Sequence, residues 1–336
     1  MCVKQSRRGD RPSPNHFSLY GLTIRLIGAT GTFPALPASA PAEVAIDVRG
    51  LPSWLESAPR TEWFCSPVST VDAKPGLIVS QVANEPYLYF EFGFDIRFLI
   101  RQDGSYAWGT WDRQHFEFSY VLPVILGPVM GAILRLRAVT TLHASVVGHL
   151  GAAMVLVGSG GVGKSTTAGA FARLGFAILS DDLAPIRVLN DSFSVSPGYP
   201  RVCLWPRSVE ILFGSANALP SITAGWEKQY LDLNSPGFQF CSRPLPIGAI
   251  YWLSGRVDAE DAPSISSVST QEALITLIAN TYRSDLPDRN LAAVDLRLFA
   301  RLLSRVPVRQ VTAHSSPARL EELCQLIAKD FEDVHY

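Results

Sequence analysis

The stretch Gly158-Ser159-Gly160-Gly161-Val162-Gly163-Lys164-Ser165 decides the fold of this chain. It has the spelling Gly-x-x-x-x-Gly-Lys-Ser, it follows an apolar run that predicts a strand over 154–157, and it opens a predicted helix over 164–174. Glycines allow successive backbone N–H groups to turn inward on an anion, and the helix N-terminus adds partial positive charge. The sequence therefore predicts a phosphate-binding loop between a strand and a helix.

The end of this loop has the chemistry that a nucleoside triphosphate and its metal ion require. We expect Lys164 to reach the β- and γ-phosphates and the Ser165 hydroxyl to bind Mg²⁺. The whole segment from Gly158 to Thr166 is predicted to contact the nucleotide. The chain has neither Asn-Lys-x-Asp, which recognises guanine, nor the Leu-Ser-Gly-Gly-Gln of transporter-type ATPases. The predicted ligands are ATP and Mg²⁺.

Strands alternate with helices in the sequence around the loop, which predicts an α/β layer structure. Gly175 stands where a C-terminal helix glycine belongs, Thr270 is the predicted cap of a helix running to Asn280, and Ser316-Pro317 is predicted to open the last helix. The other predicted strands of this half cover 142–147, 176–179, 247–253 and 308–311.

The first half of the chain has a different pattern. Residues 1–15 are predicted to be a disordered tail, and 16–117 a β-rich N-terminal domain in which a strand over 94–98 leads through Asp103-Gly104 into a hairpin. The apolar stretch 120–134 is interrupted by two prolines and is predicted to be a buried helix. The predicted architecture is therefore a β-rich N-terminal domain and a P-loop kinase core over 118–336.

Charge and cysteine usage exclude several classes of protein. The formal net charge is −1, so no overall basic field attracts nucleic acid or an anionic membrane. The five cysteines are widely spaced and form no Cys-x-x-Cys, which is typical of neither a disulfide framework nor a zinc site. The N-terminus has no apolar core of a signal peptide. We expect a cytoplasmic protein with no nucleic-acid or membrane partner.

Two adjacent carboxylates, Asp181 and Asp182, follow the strand that comes directly after the loop helix. Ligands of open α/β sheets collect at the carboxyl ends of strands. In phosphoryl transfer, one acid can bind Mg²⁺ while the other accepts the proton of an attacking hydroxyl. His143 lies on the strand that precedes the loop strand, from which it can approach the pair and tune its proton affinity.

Three segments together resemble the kinase core of bacterial HPr kinase/phosphorylase and its relatives. They are Thr141-Leu142-His143, the loop region 155–167, and the strand 176–180 that ends at Asp181-Asp182. The resemblance implies transfer of the γ-phosphoryl group of ATP to a serine of a small protein. It implies that Lys164 and Ser165 bind phosphates and Mg²⁺, that Asp181 and Asp182 form the metal and proton-relay pair, and that His143 supports them. We assign the general base to Asp182 and a metal contact to Asp181, although the sequence alone does not decide between the two.

The sequence departs from that family at several points. Thr166 stands where the family has Glu, which puts one metal contact in doubt, and the string 197–206 replaces the family's second glycine-rich signature. The arrangement is more similar to divergent HPr-kinase-like proteins of peptide natural-product pathways, some of which resemble kinases of lasso-peptide precursors. This likeness favours a ribosomally made precursor peptide as the substrate.

Additional cations near the γ-phosphate would assist transfer. Arg201, Lys228 and Arg283 are the candidates for contacts with the substrate, and Arg207 is a weaker one; all lie in predicted loops or at the ends of elements.

Other functions remain open at this stage. The chain could be an HPr(Ser) kinase of carbon regulation, a nucleotide-gated module that binds a peptide without modifying it, or a small-molecule kinase, because a fold does not fix the acceptor. A homo-oligomer also stays open.

Overall fold

A computed structural model describes residues 15–67, 75–93, 95–189, 192–223, 225–282, 286 and 289–335. The predicted tail over 1–15 lies outside these residues except for Asn15. Phe94, the first residue of one predicted strand, and Arg283, one predicted substrate contact, lie outside them as well.

The first part of the chain forms a nine-stranded sheet. The strands are β1 His16–Leu19, β2 Leu22–Ile27, β3 Leu36–Pro37, β4 Val44–Asp47, β5 Arg60–Cys65, β6 Leu77–Val82, β7 Tyr87–Phe92, β8 Ile96–Arg101 and β9 Tyr106–Thr110, with a 3-10 turn over Ser53–Glu56. Their order is β3-β1-β2-β4-β9-β8-β7-β6-β5, in which the pairs β2–β4 and β4–β9 are parallel and the others are antiparallel. The predicted hairpin is confirmed, since Ile100 pairs with Ala107 across a turn in which Gly104 has a φ of 65°.

A long apolar helical segment follows the sheet. It consists of α1 Phe118–Val124, a π-helical turn over Ile125–Val129, and α2 Met130–Leu136. The π turn contains Pro128, whose missing N–H already interrupts the regular hydrogen-bond ladder. Among the described residues this is the one helix long and apolar enough to span a bilayer by length and composition, and 78% of its apolar window is buried within the protein. The expectation of a buried helix is confirmed.

This helical segment shares its hydrophobic core with the first sheet. Val121 and Ile133 are fully buried in the same cluster as Ile24, Phe90 and other residues of the sheet. On the opposite side, the Arg135 guanidinium donates to the Asp295 carboxylate, and Thr140 Oγ1 donates to the same carboxylate at 2.7 Å. The segment therefore connects the first sheet to the rest of the molecule.

The second part of the chain is a mixed sheet covered by helices on both faces. The strands are β10 Thr141–His149, β11 Ala152–Val157, β12 Ala177–Ser180, β13 Leu183–Leu189, β14 Ser192–Val195, β17 Gln239–Phe240, β18 Leu245–Val257, β19 Ser264–Ser267 and β20 Val308–His314; β15 Arg201–Leu204 and β16 Gln229–Asp232 form a separate pair. The order in the sheet is β17-β12-β10-β13-β14-β18-β20-β19, and β11 pairs with both β10 and β18. The helices are α3 Lys164–Arg173, α4 Pro206–Phe213, α5 Thr270–Ala279, α6 Arg289–Leu303 and α7 Leu320–His335, with a 3-10 turn over Pro317–Arg319.

Strand β11 lies at the centre of this sheet, antiparallel to β10 and parallel to β18. All six of its residues are buried, as expected for a strand covered on both faces. Met154 and Leu156 belong to the core that includes α3 and α7, whereas Val155 and Val157 belong to the core that includes α5 and α6. The alternating directions of side chains along a strand thus produce a helix–sheet–helix sandwich, and the mixed α/β class is confirmed.

One predicted helix start is wrong. The cap of α5 is Ser269, not Thr270, because the Ser269 hydroxyl accepts the N–H of Glu272 while the Glu272 carboxylate accepts the backbone N–H of Ser269. Ser316 and Pro317 do open the last helical segment as its N-cap and first residue, and its first turn, Pro317–Arg319, is 3-10 before α7 begins at Leu320. Gly175 does follow α3 with a φ of 87°, as predicted.

Candidate active site

The glycine-rich loop connects β11 to α3 in a conformation that two of its glycines make accessible. Gly158 has a φ of 147°, and a Cβ there would lie 2.6 Å from the carbonyl oxygen of Leu253. Gly163 has a φ of 115° immediately before the first turn of α3, and its Cβ would lie 2.7 Å from Nη2 of Arg256. Any other residue would be strained at both positions. At Gly158 it would also clash with the backbone of β18, whereas at Gly163 the Arg256 side chain would have to move aside.

Lys164 is held inside this loop. Its side chain is buried, and Nζ donates to the carbonyl oxygens of Gly158 at 2.7 Å and Ser159 at 3.3 Å. Burial lowers the pKa of Lys164, and the nearby Lys228 lowers it further, while the charges of Asp182 and Asp181 oppose the shift. The ammonium group therefore lies among carbonyl oxygens, close to both acids.

Two residues that the sequence analysis missed hold the loop from outside. The backbone N–H of Gly158 donates to Asn280 Oδ1 at 3.1 Å, and Arg256 Nη2 donates to the carbonyl oxygen of Val162 at 3.2 Å. These contacts join positions 122 and 94 residues apart in the chain, so no local pattern could indicate them.

Asp181 is buried and fixed by hydrogen bonds from two directions. Its Oδ1 accepts the Ser145 hydroxyl at 2.6 Å, and its Oδ2 accepts the backbone N–H of Cys203 at 3.0 Å. Burial raises the pKa of Asp181, against the hydrogen bonds of Ser145, Cys203 and Ser165. Strand β10, strand β15 and the first turn of α3 thus meet at this one carboxyl group.

Asp182 has a different environment, although it is the next residue. Its backbone is left-handed, with a φ of 79°, and its side chain is 43% exposed. His143 Nδ1 lies 3.0 Å from Asp182 Oδ1 and 3.1 Å from the Asp182 carbonyl oxygen. Burial alone would raise the pKa of Asp182, but the hydrogen bond and charge of His143, together with the charges of Lys228 and Lys164, lower it.

A pocket with a volume of about 270 Å³ opens over these residues. Ser165, Asp181 and Asp182 lie on one side of it, and the apolar helical segment 118–136 forms the opposite wall. At Gly127 of that wall, a Cβ would lie 3.5 Å from Asp182 Oδ2. The free edge of the Asp182 carboxylate therefore faces the pocket, whereas each oxygen of Asp181 already accepts one hydrogen bond from the protein and keeps a lone pair for a further partner.

Two of the predicted substrate cations line this pocket. The Arg201 guanidinium lies over the Tyr230 ring, 3.8 Å from its centroid, and Lys228 Nζ lies 5.1 Å from the centroid of the Trp205 ring. Neither forms an ion pair with a carboxylate in the part of the chain that the structure describes.

The remaining predicted loop contact lies away from this pocket. Thr166 Oγ1 lies 2.8 Å from Ser208 Oγ and lines a second, small cavity of about 60 Å³ on the other side of the loop. Arg207, the weakest of the predicted cations, lines the same small cavity. Thr166 and Arg207 therefore line a different cavity from the two acids. Gly163 lines this small cavity as well.

Tyr20 reaches the vicinity of the acids from the turn between β1 and β2. Its backbone N–H donates to the carbonyl oxygen of Pro197 at 2.9 Å, and its ring meets the Tyr199 ring edge-on with centroids 6.4 Å apart. The side chain is fully buried, and its hydroxyl has no hydrogen-bond partner among the described residues. Burial, reinforced by the charge of Asp182, raises the pKa of Tyr20, so the phenol stays protonated.

The donors at the site suit Mg²⁺ bound together with a nucleotide. No group of three or more His, Cys, Asp or Glu side chains that could hold a metal occurs among the residues described. Mg²⁺ requires fewer protein ligands beside a nucleotide, because phosphates and waters complete its shell. The Ser165 hydroxyl and the Asp181 carboxylate line the same pocket, and both offer the oxygen ligands that this ion prefers.

No protein-family model matches the sequence, and no curated protein matches it. Among solved structures, the chain is similar to the HPr(Ser) kinase/phosphatase from Coxiella burnetii at 11% identity and a TM-score of 0.31. The similarity covers 58% of this chain and 99% of that one. Values this low carry no argument about function, which must come from the residues of this chain.

Proposed function

We propose that the protein is an ATP- and Mg²⁺-dependent kinase that transfers the γ-phosphoryl group to a serine hydroxyl of a peptide or small protein. One observation carries the proposal: a glycine-rich loop with a buried lysine lies beside a pocket that contains two acids in opposite environments. The loop suits phosphates, and the acids suit a metal and a hydroxyl. A precursor peptide of a ribosomal natural product remains the substrate that the sequence resemblance favours.

The loop and the first turn of α3 would bind the triphosphate. Backbone N–H groups and the helix N-terminus attract anions, and the Lys164 ammonium would exchange its two carbonyl partners for phosphate oxygens. Ser165 and Asp181 would hold Mg²⁺, which supplies positive charge against the phosphates when it is bound. A cation at this position also offsets the cost of a buried Asp181 carboxylate.

Asp182 would accept the proton of the attacking serine. As the serine oxygen forms its bond to the γ-phosphorus, the bond from that phosphorus to the oxygen bridging it to the β-phosphate breaks, and ADP leaves. The serine proton passes to the Asp182 carboxylate, which His143 orients from the other side. The lowered pKa keeps Asp182 ionised at neutral pH. It also makes this group a weak base, which suits a loose transition state in which the proton leaves late.

The test combines nucleotide binding with mass spectrometry of serine-containing peptides. Asp182→Asn should still bind a fluorescent ATP analogue but should lose about 10²- to 10⁴-fold in transfer rate, the usual contribution of a positioned base. Lys164→Ala should weaken nucleotide binding itself. Glu332→Gln is the matched control. Glu332 Oε1 lies 2.9 Å from Nε2 of His149, which is on the same strand as His143, but this pair does not line the pocket.

The results of this test also distinguish the proposed kinase from the alternative functions. Transfer at the wild-type rate by Asp182→Asn would rule out the assigned base. A peptide that binds in the presence of ATP and keeps its mass would identify a nucleotide-gated binding module instead. Phosphorylation of HPr but not of other serine peptides would identify an HPr(Ser) kinase.

A further inference from the structure

A third cavity, larger than the two described above, adjoins the pocket that contains the acids. Its volume is about 820 Å³, and it shares Leu122, Arg201, Ile222 and Tyr230 with that pocket. Because these four residues line both, the two cavities lie side by side, and we treat them as one groove that is narrow at the acids and wide outside. We call the wide part the outer groove.

Three parts of the chain line the outer groove. They are the loop at 30–32, the segment from Trp111 into the first turns of α1, and residues Arg201, Ser221, Ile222 and Tyr230. The Trp111 indole N–H donates to the carbonyl oxygen of Phe116 at 2.9 Å, and the Phe116 ring stacks on Tyr120 at 4.1 Å. The segments that follow β2 and β9 of the first sheet therefore contribute a wall to a groove that ends at Asp181 and Asp182.

The volume of the groove distinguishes between the ligands that could occupy it. A single serine side chain, or a small alcohol, needs only the inner pocket of about 270 Å³. The outer groove alone lies within the 300–1,000 Å³ range of sites that bury a drug-sized ligand. An extended peptide fills both parts, because its flanking residues continue outward from the serine.

The charged side chains that line the outer groove are two arginines and one glutamate. The Arg113 guanidinium lies 4.1 Å from the Trp111 ring centroid, and Arg201 is stacked in the same way on Tyr230. Stacking orders a guanidinium while leaving its N–H edges free for a bidentate acceptor. Neither arginine pairs with a carboxylate in the described part of the chain, and Glu117 is the one acid that lines the outer groove.

We propose that the outer groove binds the residues flanking the acceptor serine, and that Arg113 and Arg201 select substrates with a carboxylate close to that serine. This rests on the proposed function, because it places the acceptor beside Asp182. Arg113 is the cleaner specificity determinant of the two, since Arg201 also lines the inner pocket and can contact phosphate there.

The experiment uses the full chain and a library of fluorescent serine peptides in which each flanking position is Asp, Asn or Lys in turn. Binding is measured by fluorescence anisotropy, and phosphorylation by transfer of label from γ-labelled ATP. We expect Asp at one or more flanking positions to tighten binding about tenfold or more over Asn, the effect of one charge-assisted hydrogen bond. Arg113→Gln and Arg201→Gln should each reduce this Asp-to-Asn ratio toward one.

Arg60→Gln is the matched control. Arg60 is stacked on Tyr89 at 4.5 Å in the first sheet, but it does not line the groove, so its substitution should leave the ratio unchanged. Asp and Asn peptides that bind equally, or a preference that survives both groove substitutions, would overturn the proposal. Arginine-dependent binding without any transfer of label would support the groove and refute the proposed kinase activity, so the two can fail separately.

Discussion

Substitution of His143 by glutamine tests whether the imidazole tunes Asp182. Glutamine keeps a hydrogen-bond donor within reach but cannot carry a charge. The charge of His143 lowers the pKa of Asp182 in the native protein. A base works only when deprotonated, so activity disappears as the pH falls through that pKa. Removal of the charge should therefore raise the pKa of Asp182 and move the acidic limb of the pH–rate profile to higher pH.

The size of the shift follows from the geometry. Two unit charges 3.0 Å apart, the distance between His143 Nδ1 and Asp182 Oδ1, attract by about 1.4 kcal/mol in the dielectric of water. The water value applies because the two side chains are 37% and 43% exposed, so solvent screens the pair. That energy corresponds to about one pH unit.

The assay is the pH dependence of kcat/KM for phosphorylation of a serine peptide, with fluorescence at each pH to verify that the protein is folded. Carbon-13 titration of labelled aspartates gives the pKa of Asp182 independently of turnover. His149→Gln is the control, because His149 lies on the same strand and pairs with Glu332 away from the pocket. An acidic limb that stays in place, or that moves to lower pH, would refute the reasoning.

Three further predictions concern stability and are measured by urea denaturation. Asp295→Asn should cost about 3–5 kcal/mol, because it leaves the buried Arg135 without its counter-charge; a loss below about 1 kcal/mol would contradict this. Gly131→Ala should cost about 1–3 kcal/mol, because its Cβ would lie 2.1 Å from a tyrosine ring, whereas Gly127→Ala meets only ordinary contacts and should stay within about 1 kcal/mol of wild type. Tyr20→Phe should stabilise the protein by about 1–3 kcal/mol through loss of an unpaired buried hydroxyl, and a destabilised variant would show that this hydroxyl is paired.

The parts of the site that could be predicted from the sequence are those encoded by contiguous residues. The glycine-rich loop, the strand before it and the helix after it follow from local spelling and periodicity, because glycine conformations and helix starts depend on near neighbours. The proximity of His143 to Asp182 was expected from neighbouring strands, and the structure places them 3.0 Å apart. The role of each acid remains a prediction.

The parts that could not be predicted depend on how distant elements meet. Asn280 and Arg256 support the loop from α5 and β18, and Ser145 fixes Asp181 from β10. Tyr20 comes from the opposite end of the chain and from a different sheet. Each residue looks like an ordinary element-end or core position in the sequence, because contacts between elements are set by packing and topology rather than by local propensity.

The left-handed backbone at Asp182 limits how this position can change over evolutionary time. Among residues other than glycine, asparagine and aspartate tolerate that conformation best, so most other substitutions would disturb the corner between β12 and β13 as well as the chemistry. Descendants that lose the proposed transfer activity but keep the proposed nucleotide site should therefore accumulate asparagine or glycine here. Surveys of related sequences could then identify such inactive proteins by asparagine or glycine at this one position, without any biochemical assay.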